Sequence, residues 1–330
     1  MADGTKIEWA HAGLGRGATL NPIRAVNRRT GKHGWYCEKV SPACDNCYAE
    51  RLNAKPGASG GTGLPYKPGH RKDVTVFLHY PALAQMLRWQ VPRGIFWCSM
   101  TDLFGDFVTD EMREAILSYC LCAPRHRHLF LTKRPDRAAE FLDGWRKRLI
   151  ARNPWIDHPA GAARLLDLVA LDELPDAPPF IWIGSTIEDQ RRADERRQAL
   201  ERIAAAGWTT FVSYEPALGP IEWTPFAFLN WLIAGGETGV GARPSHPDWF
   251  RVARDWAADA GVAFHFKQWG DWAPCQGNNG EWPTDAPTAV RLCKDGTRFR
   301  DGWPMQRVGK RAAGRLLDGR THDEFPGDAL

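Results

Sequence analysis

Three cysteines stand close together in "CEKVSPACDNCYAERL", residues 37–52: Cys37, Cys44 and Cys47, with a proline inside the loop. Thiolates bind soft metals, and the question is which centre three of them serve. A structural zinc takes four ligands, commonly paired CxxC units; one CxxC, one cysteine ahead of it and His33 as a fourth ligand make that reading available. Three thiolates without a fourth instead suit a [4Fe-4S] cluster whose remaining iron is open to a ligand. A disulfide within the triplet does not fit a reducing compartment.

A second set of chemical side chains recurs downstream. "CSMTD" (98–102), "TKRP" (132–135), "STIED" (185–189), "SYEP" (213–216) and "GGETG" (235–239) each follow an apolar run directly. In parallel α/β folds the carboxyl ends of the strands converge on the ligand-binding edge. Any one of these groups can merely cap a helix. Five in succession point to a shared site.

The elements that must position them are legible. "GIFWCS", "HLFLT", "FIWIGS", "TTFVSY", "LNWLIAG" and "VAFHFK" have strand length and strand composition, and most intervals hold a crossover helix. "VTDEMREAILSYCLCAP" predicts a helix with Thr109 as N-cap, acids in its first turn and Pro124 beyond its end. "EDQRRADERRQALERIAAAG" predicts another, stopped by Gly207. Its arginines are balanced by acids, a solvated face with i,i+4 pairs such as Glu188 with Arg192. The expected fold is α/β, a partial or closed parallel barrel. An irregular N-terminal cysteine loop precedes it, after a Gly- and Arg-rich opening (11–34), and "AKPGASGGTGLPYKPGHRK" reads as a loop or lid. Residues 1–272 are expected to form the barrel and 273–330 a C-terminal extension packed on it.

Composition agrees with this scale. A chain of 330 residues, 43% hydrophobic, buries a full core without staples, and eight unevenly spaced cysteines without an N-terminal apolar signal segment imply a reducing cytoplasm. No apolar run approaches the roughly 20 residues of a membrane span. A net charge of +4 is too mild to diagnose nucleic-acid binding, although some of the sixteen tryptophans can serve as stacking platforms.

The triplet with "YAERL", together with "SMTDLF", "LTKRP", "EPALGPI", "GGETGVGARP" and the tail "VGKRAAGRLLDGRTHDEFP", resembles a phage-associated protein family of formerly unknown function at the edge of the radical S-adenosylmethionine (SAM) superfamily. The resemblance runs in order over nearly the whole chain. Cysteine spacing departs from the superfamily's usual CxxxCxxC: six residues separate Cys37 from Cys44, and Asn46 holds the place of an aromatic, with Tyr48 after the last cysteine. Asn21 and Pro22, which in the family lie close to the first cysteine, are here separated from Cys37 by an insertion. The order "CSMTD", "LFLTKRPDRAAEFL", "STIED" is also similar to the barrel of spore photoproduct lyase, a radical SAM enzyme that repairs a thymine dimer.

These resemblances imply a [4Fe-4S] cluster held by Cys37, Cys44 and Cys47, with SAM on the open iron yielding a 5′-deoxyadenosyl radical. Tyr48, Ser99, Asp102, Lys133, Ser185, Glu188 and Glu215 are then expected to bind SAM or polar groups of the substrate. Gly235, Gly236 and Glu237 form a GGE motif, which in the superfamily touches the SAM amino group but normally lies much nearer the cysteines. A tight turn with a solvated Glu is the alternative. Cys98 takes the place of the lyase's hydrogen-atom donor, or is simply a small buried hydrophobe.

The implied function is a radical SAM-type enzyme that modifies, rearranges or repairs a base in nucleic acid or a nucleoside, with phage thymidine hypermodification as one form. A non-catalytic iron–sulfur nucleic-acid-binding protein and a zinc-stabilised nucleic-acid-binding module are the alternatives. The expected partners are DNA or a nucleoside and a flavodoxin- or ferredoxin-type reductant, with no membrane, in the cytoplasm, the host's if phage-encoded. "RAVNRRTGKH" and "VGKRAAGR" concentrate basic residues without acids, and either can track a phosphate backbone or remain solvated surface.

Overall fold

All four residues of Gly94–Trp97 are buried, as are all six of Ile181–Thr186 and all five of Trp231–Gly235. Strands covered on both faces read as continuous apolar runs, which is why these segments showed so plainly in the sequence. The computed structural model of the chain describes residues 2–5, 7–55, 60–170, 174–275, 289–298 and 300–327.

The six expected strands form, and two more join them. The sheet runs Ala2–Asp3, Gly17–Leu20, Gly94–Trp97, Arg127–Thr132, Ile181–Thr186, Thr209–Tyr214, Trp231–Gly235, Ala263–Gln268 in spatial order. Ala2–Asp3 is antiparallel to Gly17–Leu20 and the other seven strands are parallel. The first and last strands are not paired with each other, so this is an open α/β sheet of partial-barrel type.

Helices fall where local chemistry dictates. Thr109 Oγ1 accepts a hydrogen bond from Met112 N at 3.4 Å and starts the helix Asp110–Leu121. Gln190–Ala205 is followed by Gly207 at φ 91°, a conformation that glycine alone enters without strain. Its outer face carries the expected pairs, Arg191 with Glu195 at 2.9 Å and Arg197 with Glu201 at 2.7 Å. Glu188 departs from expectation. It precedes the helix, is fully buried, and pairs with Arg196 at 2.8 Å rather than with Arg192, since the buried carboxylate takes the cation that is itself buried.

The Gly- and Arg-rich opening is also more regular than its composition suggests. Besides Gly17–Leu20 it holds Ile23–Asn27 and His33–Gly34, which pair antiparallel with each other; Ile23–Asn27 pairs in turn with Val74–Leu78. Residues 56–59 of the expected lid lie outside the described residues; its later part forms the 3-10 turn Pro68–Asp73.

The chain divides into two compact units. The first comprises Met1–Val40, Cys47–Gly184 and Arg202–Thr209; the second comprises Ser41–Asn46, Ser185–Glu201 and Thr210–Leu330. Strand Ile181–Thr186 gives its first four residues to one and its last two to the other. The first unit's core gathers Ile95, Trp97, Ile116, Phe130, Ile181 and Trp208. The second gathers Val212, Tyr214, Leu232, Phe250, Phe266 and Trp269, and adds a small antiparallel sheet of Trp272–Pro274, Trp303–Arg307 and Ala289–Leu292.

Candidate functional site

In the first unit, strand Gly94–Trp97 ends at Cys98, whose φ of 57° puts a non-glycine residue in the left-handed region. Such strained positions concentrate at functional sites. The thiol is buried in the core, and that burial, with lesser contributions from Asp102 and Cys37, pushes its pKa up, so it stays protonated.

Asp102 ends the same turn and is a hub. Its Oδ1 accepts from Thr132 Oγ1 at 2.7 Å and Phe104 N at 3.0 Å; its Oδ2 accepts from Lys133 N at 3.1 Å and Arg134 Nη1 at 2.9 Å. Four donors fill the carboxylate's principal acceptor positions. Arg134 continues outward and donates from Nη2 to the carbonyl of Glu38 at 3.1 Å, while Thr101 Oγ1 donates to the carbonyl of Tyr36. The two backbone carbonyls that flank Cys37 are thus held from the strand ends.

Ser99 and Tyr48 are brought together. Tyr48 Oη donates to Ser99 O at 2.6 Å, and Ser99 Oγ is bonded to Asn21, whose Oδ1 also accepts from Met100 N at 2.9 Å. Tyr48 opens the helix Tyr48–Ala54 just after Cys47. Cys37 and Cys47 both pack on the small buried cluster of Ala49, Tyr66 and Met100. The Lys133 ammonium makes no ion pair or hydrogen bond among the described residues.

In the second unit, Cys44 ends the 3-10 turn Pro42–Cys44. Three acids expected at the cofactor lie here; one bonds that turn and a second bonds Asn46 just after it. Glu188 Oε1 accepts from Ala43 N at 3.2 Å while its Oε2 pairs with Arg196. Glu237 accepts from Asn46 Nδ2 at 3.0 Å and from Arg243 N and Nε, each at 2.8 Å. Burial alone would raise the Glu237 carboxyl; the hydrogen bonds from Arg243 and Asn46 reverse this and hold it below the usual carboxylate range.

The third acid, Glu215, is engaged elsewhere. Lys267 Nζ lies 2.8 Å from its Oε1 and Gln268 Nε2 donates to the same oxygen at 2.9 Å, at the carboxyl ends of the two strands that flank Trp231–Gly235. Gln268 Oε1 is buried with no donor among the described residues. Gly235 and Gly236 close strand Trp231–Gly235. A Cβ at Gly236 would stand 2.0 Å from the carbonyl of Trp269, so close backbone packing requires that glycine. Ser185 is buried at the end of its strand, with Oγ directed to Thr186 O at 3.3 Å.

Sequence reasoning missed the cations that complete these networks: Arg134, Arg196, Arg243 and Lys267. Arg134 stands next to Lys133 in "TKRP", and Arg243 six residues beyond Glu237 in "GGETGVGARP". Asp102 reaches Arg134 across 32 positions, but Ala43 and Glu188 are 145 apart and Pro42 and Arg243 are 201 apart, beyond any local pattern.

Cys37, Cys44 and Cys47 are all free of disulfides and half-buried. As soft donors on an accessible loop they suit an iron–sulfur cluster by type. Among the described residues, no three His, Cys, Asp or Glu side chains are already gathered as a metal-binding group. Nor, among those residues, is any helix long and apolar enough to cross a membrane.

No curated protein matches the chain. A solved mutant of spore photoproduct lyase is similar at 10% identity with a TM-score of 0.34, covering 93% of this chain and 78% of that one, a likeness too remote to carry an argument. The family comparison is decisive for membership: a model described as "Protein of unknown function (DUF5131)" matches residues 5–326, and the chain belongs to that family.

Proposed function

We propose that this protein is an iron–sulfur enzyme of the radical SAM type that modifies, rearranges or repairs a base in nucleic acid or a nucleoside. The observation that carries this reading is the loop of three half-buried cysteines, Cys37, Cys44 and Cys47, none of them in a disulfide. In each unit a strand-end side chain bonds the backbone next to one of those cysteines, as expected of a loop that must present ligands in a fixed direction. When bound, a cluster with an open iron and SAM supply a 5′-deoxyadenosyl radical, which takes a hydrogen atom from the substrate.

The chain's own residues have the complementary tasks. Lys133, an ammonium just past a strand end with no ion pair among the described residues, suits a carboxylate or phosphate. The Glu215–Lys267 pair, with the unfilled acceptor of Gln268 beside it, offers both signs of charge and suits a zwitterionic ligand such as SAM. Cys98, kept as a neutral thiol, holds a hydrogen atom that a product radical can take, because an S–H bond is weaker than most C–H bonds. A flavodoxin- or ferredoxin-type reductant and a phage thymine hypermodification complete the proposal.

Anaerobic reconstitution with iron and sulfide tests it. The expected result is a brown protein absorbing near about 400 nm, the thiolate-to-iron signature. Cluster binding should be lost on Cys→Ala at position 37, 44 or 47 and kept on the same change at 120, 122, 275 or 293. Full iron occupancy in Cys44→Ala overturns it. Zinc in place of iron supports the zinc module, and a cluster without SAM turnover supports the binding protein.

A further inference from the structure

The antiparallel strands Ile23–Asn27 and His33–Gly34 are joined by a turn in which Arg28, Arg29 and Lys32 are all exposed. Strand Val74–Leu78 lies alongside, and Arg28 N donates to Asp73 O at 2.9 Å. That contact brings the turn beside the 3-10 segment Pro68–Asp73, with Arg71 and Lys72 exposed and Lys67 just before it. Within segments 28–32 and 67–73 the one acid, Asp73, is taken by His70 at 2.9 Å; alongside them Asp106 pairs with Arg137, and the Glu38 carboxylate accepts from Tyr36, which also bonds the carbonyl of Lys67.

None of the six cations forms an ion pair among the described residues. Arg28 Nε donates to Thr75 Oγ1 and Arg71 Nη2 to the carbonyl of Asp106, neutral acceptors that orient a guanidinium and leave its charge unbalanced. Six cations and one acid give these two segments a formal charge of +5, against +4 for the whole chain. The rest of the molecule is therefore close to neutral. The arginine-rich helix Gln190–Ala205 shows the contrast, since its exposed Arg191 and Arg197 each pair with a glutamate.

We infer that this basic hairpin is a docking surface for the phosphate backbone of a nucleic-acid strand. Unpaired arginines and lysines on a two-stranded ribbon neutralise successive phosphates and release their counterions, without reading bases. The hairpin's second strand also leads directly into Trp35, Tyr36 and Cys37, so a bound polymer is held next in sequence to the thiol loop. The inference rests on the proposed function and narrows it: the substrate is a base within a polymer, not a free nucleoside.

Fluorescence anisotropy with a labelled DNA duplex of about 20 base pairs, and with one of its strands, is read across a salt series. The combined Arg28→Ala, Arg29→Ala, Lys32→Ala variant should weaken binding and reduce the slope of log K against log salt by roughly 3, near one for each phosphate no longer neutralised. Arg191→Ala with Arg197→Ala should leave the slope unchanged. A wild-type protein that binds neither DNA form, a hairpin variant with an unaltered slope, or preferential binding to phosphatidylserine vesicles each overturns the inference. Thermal melting confirms that the variant is folded; single Arg29→Ala, a change at an exposed turn, gives a smaller shift of the same sign if the combined variant is not. A protein that binds no cluster yet shows the reduced slope retains the inference and loses the proposed function. A cluster-bearing protein that turns over nucleoside but not DNA does the reverse.

Discussion

Arg243 Nη2 lies 2.6 Å from Glu237 Oε1, and the same nitrogen donates to the carbonyl of Pro42 at 2.9 Å. The glutamate of the GGE motif therefore acts on the cysteine loop twice, directly at Asn46 and through an arginine at Pro42.

Loosening that grip should expose Cys44. In metal-free protein, Asn46→Ala removes the donors to Glu237 and to Gly241 while leaving the Glu237–Arg243 pair intact. Cys44 alkylation, mapped by mass spectrometry, should then accelerate by about tenfold, the equivalent of one charge-assisted hydrogen bond. Cys293 serves as the internal reference. Glu237→Ala should do the same and lower stability by about 2 kcal/mol by stranding the guanidinium. An unchanged Cys44 rate in both variants contradicts the clamp.

The two glycines of the motif should behave differently. Gly236→Ala forces a methyl into the Trp269 carbonyl and should cost about 1–3 kcal/mol in a urea titration. Gly235→Ala meets Gln268 and Glu215 at 3.4 Å and should fold nearly as well as the wild type. Loss of SAM affinity in Gly235→Ala with stability retained would separate a ligand role from a packing role.

Acid should destabilise the first unit through two neighbouring histidines. Burial lowers His128 to about 3 and His126 to about 4. Trp97 Nε1 donates to His128 Nδ1 at 3.2 Å, so protonation there would set two N–H groups against each other. The unfolded chain, with a histidine pKa of about 6.5, binds these protons more readily. Stability from the rings is whole above that pH and declines as pH falls toward about 4 and then about 3. His128→Phe should flatten the decline in urea midpoints; an equal slope in wild type and variant refutes the assignment.

Cys98 tests the repair-like chemistry. Cys98→Ala should retain cluster and SAM cleavage but divert the substrate radical to side products, visible by chromatography and mass spectrometry. Normal product at the normal rate reduces Cys98 to a core residue. Cys98→Gly relieves the positive φ, roughly 1 kcal/mol for an L-residue, and partly offsets the packing it loses.

The strands from Gly94 onward were legible because doubly covered strands are uninterrupted apolar runs, and the helices because their caps are local. Gly17–Leu20 was not, being four residues of "GATL" whose strand character comes from pairing with Gly94–Trp97. Strand-end residues were found as a set, since apolar-to-polar transitions are visible in one dimension. What each one touches was not. Asp102, Glu188 and Glu237 read as free ligands until Arg134, Arg196 and Arg243 were seen to fill them.

The apportioning of the cysteine loop limits how this protein can be taken apart. Cys37 and Cys47 are counted with the first unit and Cys44 with the second. A fragment cut after Gly184 carries all three thiols yet lacks Glu188, Glu237 and Arg243, and a synthetic peptide of residues 37–52 lacks Asp102 and Arg134 as well. Neither is a faithful minimal mimic. Engineering that shortens the chain, or permutes its termini, has to preserve both sets of anchors if the loop is to keep its native conformation.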